Sequence, residues 1–392
     1  MEFEYIIKEL VLIYAGAAIL STIFLFLRQP IIISYICLGM IIGPHGLGLI
    51  KQPEHIEQIS HIGIILLLFL TGLNLHPNQL YHLLKKTASI TIVTSTIFAI
   101  VAFLITYSFG FSLTESLITA VAMMFSSTVV GLKLIPTTEL HHRYIGELMS
   151  SVLLFQDLIA ITVILFVGHS IKTNQSVIFI PIFLLILKAI LLMAFAIVFI
   201  VYFVLKLLFR KFDVIQEYIF IIALGWCMAI AGIAKWFGLS YEIGAFIAGT
   251  SLAMSPISLV ISEHFKSLRE FFLILFFFAI GAHFDFSQLK NVVLSGSILA
   301  AAMLIIKPIV FKKMFKLLRE RAIIADELAF RLGQASEFSL LIAYTALLNN
   351  KISNTVSCLI QFTVILTFII STYIVATKYP TPIAADDAKR RD

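Results

Sequence analysis

The side chains able to do chemistry in this sequence are few, and most sit where a charge is expensive. Asp157 lies in SSVLLFQDLIAITVILFVG, flanked by about ten largely apolar residues on either side and preceded by polar Gln156. Lys307 lies in SGSILAAAMLIIKPIVF beside Pro308, and Glu337 in LGQASEFSLLIAYTA. An ionisable group near a bilayer centre costs roughly 2.5–3.5 kcal/mol on insertion scales, so each needs a reason to be there. For a lone buried carboxyl the fitting chemistry is exchange. Bare and charged it is penalised by burial; loaded with a proton or a cation it is neutral. The plainer alternative for Asp157 and Glu337 is a carboxyl hydrogen-bonded for helix packing. For Lys307 it is snorkelling toward the nearby Lys312 and Lys316. Glu242, in SYEIGAFIAG, reads as interfacial, and Lys188, deep in an apolar run, carries no assigned role.

Two stretches are unusual for membrane helix. MMFSSTVVGL places Ser126, Ser127 and Thr128 in a row, and GQASEFS surrounds Glu337 with Gly333, Ser336 and Ser339. Hydroxyls and glycine weaken helix propensity and bond the backbone locally. In transporters such segments are helix breaks, where freed carbonyls and helix ends coordinate ions. Close helix packing through small residues is the alternative.

The elements that must hold these residues follow from composition. The 392 residues are 60% hydrophobic and 13% charged, with a mean hydropathy of +1.04. That leaves too little polar material to coat a soluble fold. A cytosolic enzyme, a disordered chain and a nucleic-acid-binding domain are excluded. Apolar runs of bilayer length predict an all-α membrane protein of about thirteen spans. They fall near 5–27, 31–49, 61–75, 87–109, 115–132, 146–168, 176–208, 216–235, 239–255, 266–284, 291–315, 326–348 and 354–377. The connections are short and leave no room for a separate soluble domain. With the N-terminus outside, inward loops and tail carry 19 Lys and Arg against 6 outward. That bias supports the odd number of spans and a cytoplasmic C-terminus. It also accounts for the net charge of +6 and the pI near 9.1 without nucleic acid. Cys37, Cys227 and Cys358 all lie in apolar runs and read as small hydrophobes with no disulfide framework. Glu2 and Glu4 precede the first apolar run, which argues against a signal peptide.

Spans four to six are followed seven spans later by eleven to thirteen. Seven is odd, so the triplets enter the membrane in opposite directions, and the suspected break is second in each. This is the layout of an inverted-repeat transporter with a midplane site where two breaks cross. No sequence identity links the triplets; the inference rests on position and character.

Five segments carry a family likeness: ISYICLGMIIGPHGL; FLTGLNLHPNQL; FSSTVVGLKLI with SSVLLFQDLIAI; SYEIGAFIAGTSLA with LILFFFAIGAHFDF; and ERAIIADELAFRLGQASEFSLLI. They span roughly residues 31–349. The chain resembles the Kef-type potassium/proton antiporters of the cation:proton antiporter superfamily. The likeness implies the sodium/proton-antiporter-like fold with two crossed discontinuous helices. Residues 1–377 would form one transmembrane antiporter domain, comprising a dimerisation part and a mobile core of helices about 87–168 and 291–377. Residues 378–392 would be a short basic cytoplasmic tail. It implies a homodimer in a bacterial inner membrane, elevator-like alternation of access, no enzymatic reaction and no cofactor.

On matching positions the likeness makes Asp157 the shared, transient cation and proton site, with Gln156, Ser127 and Thr128 as further cation/proton-binding positions and Glu337 beside Lys307 as supporting charge. Gln156 takes the place where relatives carry a second Asp or an Asn. Ser127 and Thr128 fall on the first unwound helix and Glu337 on the second, and Lys307 is the supporting core-domain charge. With one exchanging acid, protonated and cation-loaded forms are both neutral, which predicts electroneutral 1:1 exchange. K+ is favoured by the likeness alone; Na+ is the alternative, and a gated cation channel a lower one. Kef proteins carry a nucleotide-binding domain after the last helix, and no Gly-rich βαβ segment follows span thirteen here. Three readings stay open: a naturally short chain, a separate cytoplasmic regulatory subunit, or a piece of a longer protein.

Overall fold

In the computed structural model every element among the described residues is a helix. Those residues are 2–50, 54–73, 77–133, 140–168, 179–200, 216–253, 255 and 257–381. In chain order the helices are α1 (Glu2–Phe26), α2 (Ile31–Ile42), α3 (Glu54–Leu73), α4 (Pro77–Ser108), α5 (Leu113–Met123), α6 (Thr128–Lys133), α7 (Leu140–Gly168) and α8 (Phe179–Phe199). They continue with α9 (Gln216–Trp236), α10 (Tyr241–Leu252), α11 (Ser258–Ala282), α12 (Phe286–Leu317), α13 (Ala322–Arg331), α14 (Glu337–Leu348) and α15 (Asn354–Lys378). The basic cluster Lys206, Arg210 and Lys211, and residues 382–392 of the expected tail, lie outside the described residues.

Among the described residues six stretches are long and apolar enough to cross a bilayer: Ile6–Phe26, Thr87–Ser108, Tyr144–Ile164, Glu217–Trp236, Phe286–Leu317 and Asn354–Lys378. Others, including α2, α5 and α14, are apolar but shorter. The expected spans 115–132 and 326–348 are each two helices, α5 with α6 and α13 with α14. Several helices also outrun their apolar windows: α3 starts at Glu54, α4 at Pro77 and α7 at Leu140. Hydropathy marks the lipid core, whereas a helix stops where its backbone bonding stops.

The chain divides into two compact units. One comprises Met1–Pro53, His82–Val167 and Phe277–Asp392; the other Glu54–Tyr81 and Gly168–Phe276. In the first, α15 packs against α12, α14, α13, α5 and α2. Its apolar window is 61% buried, against 17% for α1. α1 instead turns Val11, Ile19 and Phe26 outward, as a lipid-facing helix does. Glu115 joins two helix starts. It closes a capping box with Ser112 at the head of α5, and its Oε1 accepts from Ser353 N and Oγ at 3.2 and 2.6 Å. The Ser353 hydroxyl caps α15 in turn. An acid at two N-termini also complements both helix dipoles.

Glycines bring backbones together where side chains would hold them apart. In the first unit, a Cβ on Gly39 of α2 would meet the Phe278 carbonyl and the Ala282 N of α11. In the second, a Cβ on Gly249 of α10 would meet the Phe69 carbonyl and, at 2.9 Å, the Leu73 N of α3. Backbone cannot step aside as a side chain can, so this overpacking costs about 1–3 kcal/mol. Gly225, in α9, has open space where a Cβ would go. There alanine gains about 0.5–1 kcal/mol of helix stability. Gly249→Ala is therefore expected to lower the thermal unfolding midpoint in detergent, and Gly225→Ala to hold or raise it. Equal midpoints for the two variants would contradict the packing described.

Candidate functional site

The site grows from the two interruptions, both in the first unit. α5 stops at Met123, and the next helical turn starts only at Thr128. The Ser127 hydroxyl accepts from Val130 N at 3.0 Å and so starts α6. This is the local bonding by which serine competes with helix continuation. The second break runs from Leu332 to Ser336, whose hydroxyl accepts from Phe338 N at 3.1 Å and caps α14. Both hydroxyl-rich stretches are thus real interruptions.

Each break is stitched to the other. Ser126 Oγ donates to Leu332 O at 2.8 Å, and Gln334 Nε2 donates to Ser127 O at 3.4 Å. Ser339 Oγ donates to Ala122 O at 2.5 Å. Lys307, from α12, is fully buried and reaches both: its Nζ donates to Phe125 O at 2.5 Å and to Gln334 O at 3.1 Å. The Phe98 ring lies 5.3 Å from the same nitrogen. α15 closes the second break from behind. Its Thr367 hydroxyl accepts from Ala335 N at 3.1 Å, and its Ser371 hydroxyl donates to Gln334 Oε1 at 3.1 Å.

Asp157, on α7, is 4% exposed. The Thr128 hydroxyl donates to its two carboxylate oxygens at 3.3 and 3.2 Å. Glu337, equally buried at the first position of α14, is near enough for the two carboxyls to interact electrostatically. Gln156 is fully buried, and its Oε1 accepts from Ser126 N at 2.9 Å. That bond fixes the amide's orientation, since a flip would set two donors face to face.

Of the residues singled out from sequence, Asp157, Gln156, Ser127, Thr128, Lys307 and Glu337 all meet at the two breaks. Snorkelling of Lys307 toward Lys312 and Lys316 does not occur: two freed carbonyls hold its ammonium in the interior. Gln156 contacts the first break. Gln334 was missed, though it bonds Ser127, Ser371 and Lys307; a glutamine directly after Gly333 in an apolar helix was the available signal. The buried pair of Glu327 with Arg331 was missed too. Arg331 Nη2 lies 2.7 Å from Glu327 Oε1, and the i,i+4 spacing on one helix was legible. Glu242 and Lys188 belong to the second unit. Glu242 is half-buried in the first turn of α10. Lys188 is exposed and reaches toward Gly238, in the turn between α9 and α10, so it is not deep.

A family model described as sodium/hydrogen exchanger, transmembrane, matches residues 12–377. Among curated relatives, K(+) efflux antiporter 5 of Arabidopsis thaliana is 28% identical over 85% of this chain and 60% of its own length. The glutathione-regulated potassium-efflux system protein KefC of Klebsiella pneumoniae is 27% identical over 84% of this chain and 54% of its own. The iron transporter MagA of Paramagnetospirillum magneticum is 25% identical, over 88% and 80%. The chain thus spans little more than half the length of the two potassium-efflux relatives. Among solved structures, the sodium proton antiporter MjNhaP1 of Methanocaldococcus jannaschii superposes with a TM-score of 0.70. It covers 96% of this chain and 97% of the other at 16% identity.

The geometry makes Lys307 a fastener. Removing its donor leaves two buried carbonyls unpaired, at about 1–3 kcal/mol each. Asp157→Asn leaves the Thr128 hydroxyl an acceptor. Lys307→Met is expected to lower the unfolding midpoint in detergent far more than Asp157→Asn. A Lys307→Met protein that melts with the wild type would show that the breaks do not need it.

Proposed function

We propose that this chain, which belongs to the sodium/hydrogen exchanger transmembrane family, is a secondary antiporter exchanging a monovalent cation for H+, with Asp157 as the shared site. The observation that carries this reading is a buried carboxyl set at a helix interruption, bonded by Thr128 and facing a second interruption headed by Glu337. The family match and the antiporter names of the relatives support it, and the fold likeness supports the scaffold. Preference for K+ over Na+ rests on the potassium-efflux relatives. Thirteen spans with crossed discontinuous helices, N-terminus outside, C-terminus cytoplasmic, in a bacterial inner membrane, complete the proposal. So do a homodimer, elevator-like movement of the core helices about 87–168 and 291–377, and regulation by a separate cytoplasmic subunit.

The charge arithmetic is short. Protonated, Asp157 is neutral; ionised and holding one alkali cation, the site is neutral again. Either form crosses a low-dielectric barrier, while the bare anion is held back by desolvation. The Thr128 hydroxyl and freed backbone carbonyls replace part of the cation's hydration. Gln156 holds Ser126 and so keeps the break open; it acts as a positioning residue. Glu337 keeps one charge state through the cycle, so one cation moves against one proton. The 1:1 count requires that Lys307, bound to carbonyls, keep its proton through the cycle; were it to release one, the stoichiometry would change.

In proteoliposomes, K+ or Na+ added to one side is expected to drive proton movement with no dependence on an imposed membrane potential. Asp157→Asn is expected to abolish it with the fold intact. A current that reverses with potential would sink the 1:1 exchange, and wild-type rates in Asp157→Asn would remove that residue from the role. Comparing K+, Na+ and Li+ salts decides the preferred ion.

A further inference from the structure

The C-terminal end of α12 carries charge that the rest of the fold leaves unused. At 1.5 Å per residue its 32 residues run about 48 Å, against a hydrocarbon core of about 30 Å. Residues 292–311 supply the roughly twenty positions a bilayer needs, with Lys307 as their one charge. Lys312, Lys313 and Lys316 follow, at headgroup level.

The helix has two faces. Met303, Lys307, Phe311 and Phe315 are buried. On the other side Leu294, Ile298, Ile305 and Ile309 are exposed at the spacing of one helix face, as lipid-facing residues are. Lys313 and Lys316, both exposed, continue the same line past Ile309. The apolar stripe therefore runs directly into the lysines. In the stretch that follows, Leu317 and Ile323 are each 75% exposed.

These cations are unclaimed. Elsewhere Lys266 pairs with Glu263 and Arg269 with Glu270, while Lys312 and Lys378 share Asp326. Lys313, Lys316, Arg319 and Arg321 are exposed, and none pairs with a carboxylate among the described residues. Glu320, the acid between the two arginines, accepts from the Tyr144 hydroxyl at 2.9 Å. Like charges on one helix end and its turn repel unless an anion joins them. The occupant must be anionic at Lys313 and Lys316 and apolar along Ile305 and Ile309. A soluble acidic segment meets only the first condition. A phospholipid with a negative headgroup meets both.

We propose that the end of α12 binds an anionic phospholipid. Lys313, Lys316, Arg319 and Arg321 hold its headgroup, and its chains lie along Ile305 and Ile309. In the orientation proposed above this is an inner-leaflet lipid, and it anchors the helix that carries Lys307. The binding itself does not depend on the transport reading.

The test uses purified protein in neutral detergent, with phosphatidylglycerol or phosphatidylcholine added. Retained lipid is counted by native mass spectrometry, and the unfolding midpoint is measured alongside. Phosphatidylglycerol is expected to be retained in preference and to raise the midpoint. A lysine beside an anionic lipid changes affinity about fivefold, so Lys313→Gln with Lys316→Gln should weaken retention roughly 25-fold. Both side chains are exposed, so the midpoint without lipid should not move. Lys313→Arg with Lys316→Arg should retain the lipid. So should Lys8→Gln with Lys266→Gln, which removes equal charge from exposed positions elsewhere. Equal retention of the two lipids, or an equal loss in the Lys8 and Lys266 pair, would overturn the proposal. So would a midpoint raised as much by inorganic phosphate, or one that follows protein concentration. Those results give the face to a soluble anion or to a second copy. Exchange plays no part in this readout, so vesicles that show none fault the transport reading alone.

Discussion

Backbone freed inside a membrane helix must find its partners within the protein, because lipid offers none. That constraint organises the first unit. Two helices stop and restart, and the groups at the breaks that bond Lys307, Gln334, Ser126, Gln156, Thr367 and Ser339 are tied across the fold. Lys307 is the shared element, since one ammonium serves a carbonyl from each interruption. A cation suits that place. Phe125 and Gln334 follow the C-terminal ends of α5 and α13, where the helix dipoles are negative. Glu337 heads α14, at a positive end.

The second break is held from its other side as well. Arg331, fully buried, donates to Glu327 and, at 2.9 Å, to the carbonyl of Pro380 just past α15. Asp326 accepts from Lys312 of α12, from Lys378 at 3.1 Å and from the Tyr379 hydroxyl at 2.7 Å. The half-helix leading into the break is thereby bound to the helix that carries Lys307 and to the segment leaving α15. A buried ion pair is costly to assemble and more costly to break, by about 3–5 kcal/mol when one partner is removed. Its use here is positional: it fixes where α13 ends and so where the interruption begins.

Much of this is legible in the sequence. Asp157 stood out because a charge amid apolar residues is improbable without purpose. Ser126, Ser127 and Thr128, and the residues around Glu337, stood out because their chemistry opposes helix. What the sequence could not show is who meets whom. Lys307 finds Phe125 across 182 positions and Ser126 finds Leu332 across 206. Nothing local encodes such pairings. Lys307 was therefore open to a snorkelling account, which depends only on nearby residues, and Gln334 looked like one polar residue in a motif. Helix ends were misjudged for a different reason. α3, α4 and α7 continue beyond their apolar windows because backbone bonding does not stop at the edge of the lipid.

The placement of Lys307 bears on how Asp157 would work in the proposed exchange. Were the lysine its counter-ion, every arrival of a proton or a cation would first have to part a buried ion pair, leaving an ammonium uncompensated in low dielectric. Here the ammonium already has two carbonyls and two helix ends, so its stabilisation does not depend on what Asp157 holds. The carboxyl is left with a hydroxyl from Thr128, a neutral donor that supports its ionised form without cancelling its charge. In the proposed exchange the empty anion is thus the least favoured state of the site, the condition that would tie the departure of one ion to the arrival of the other.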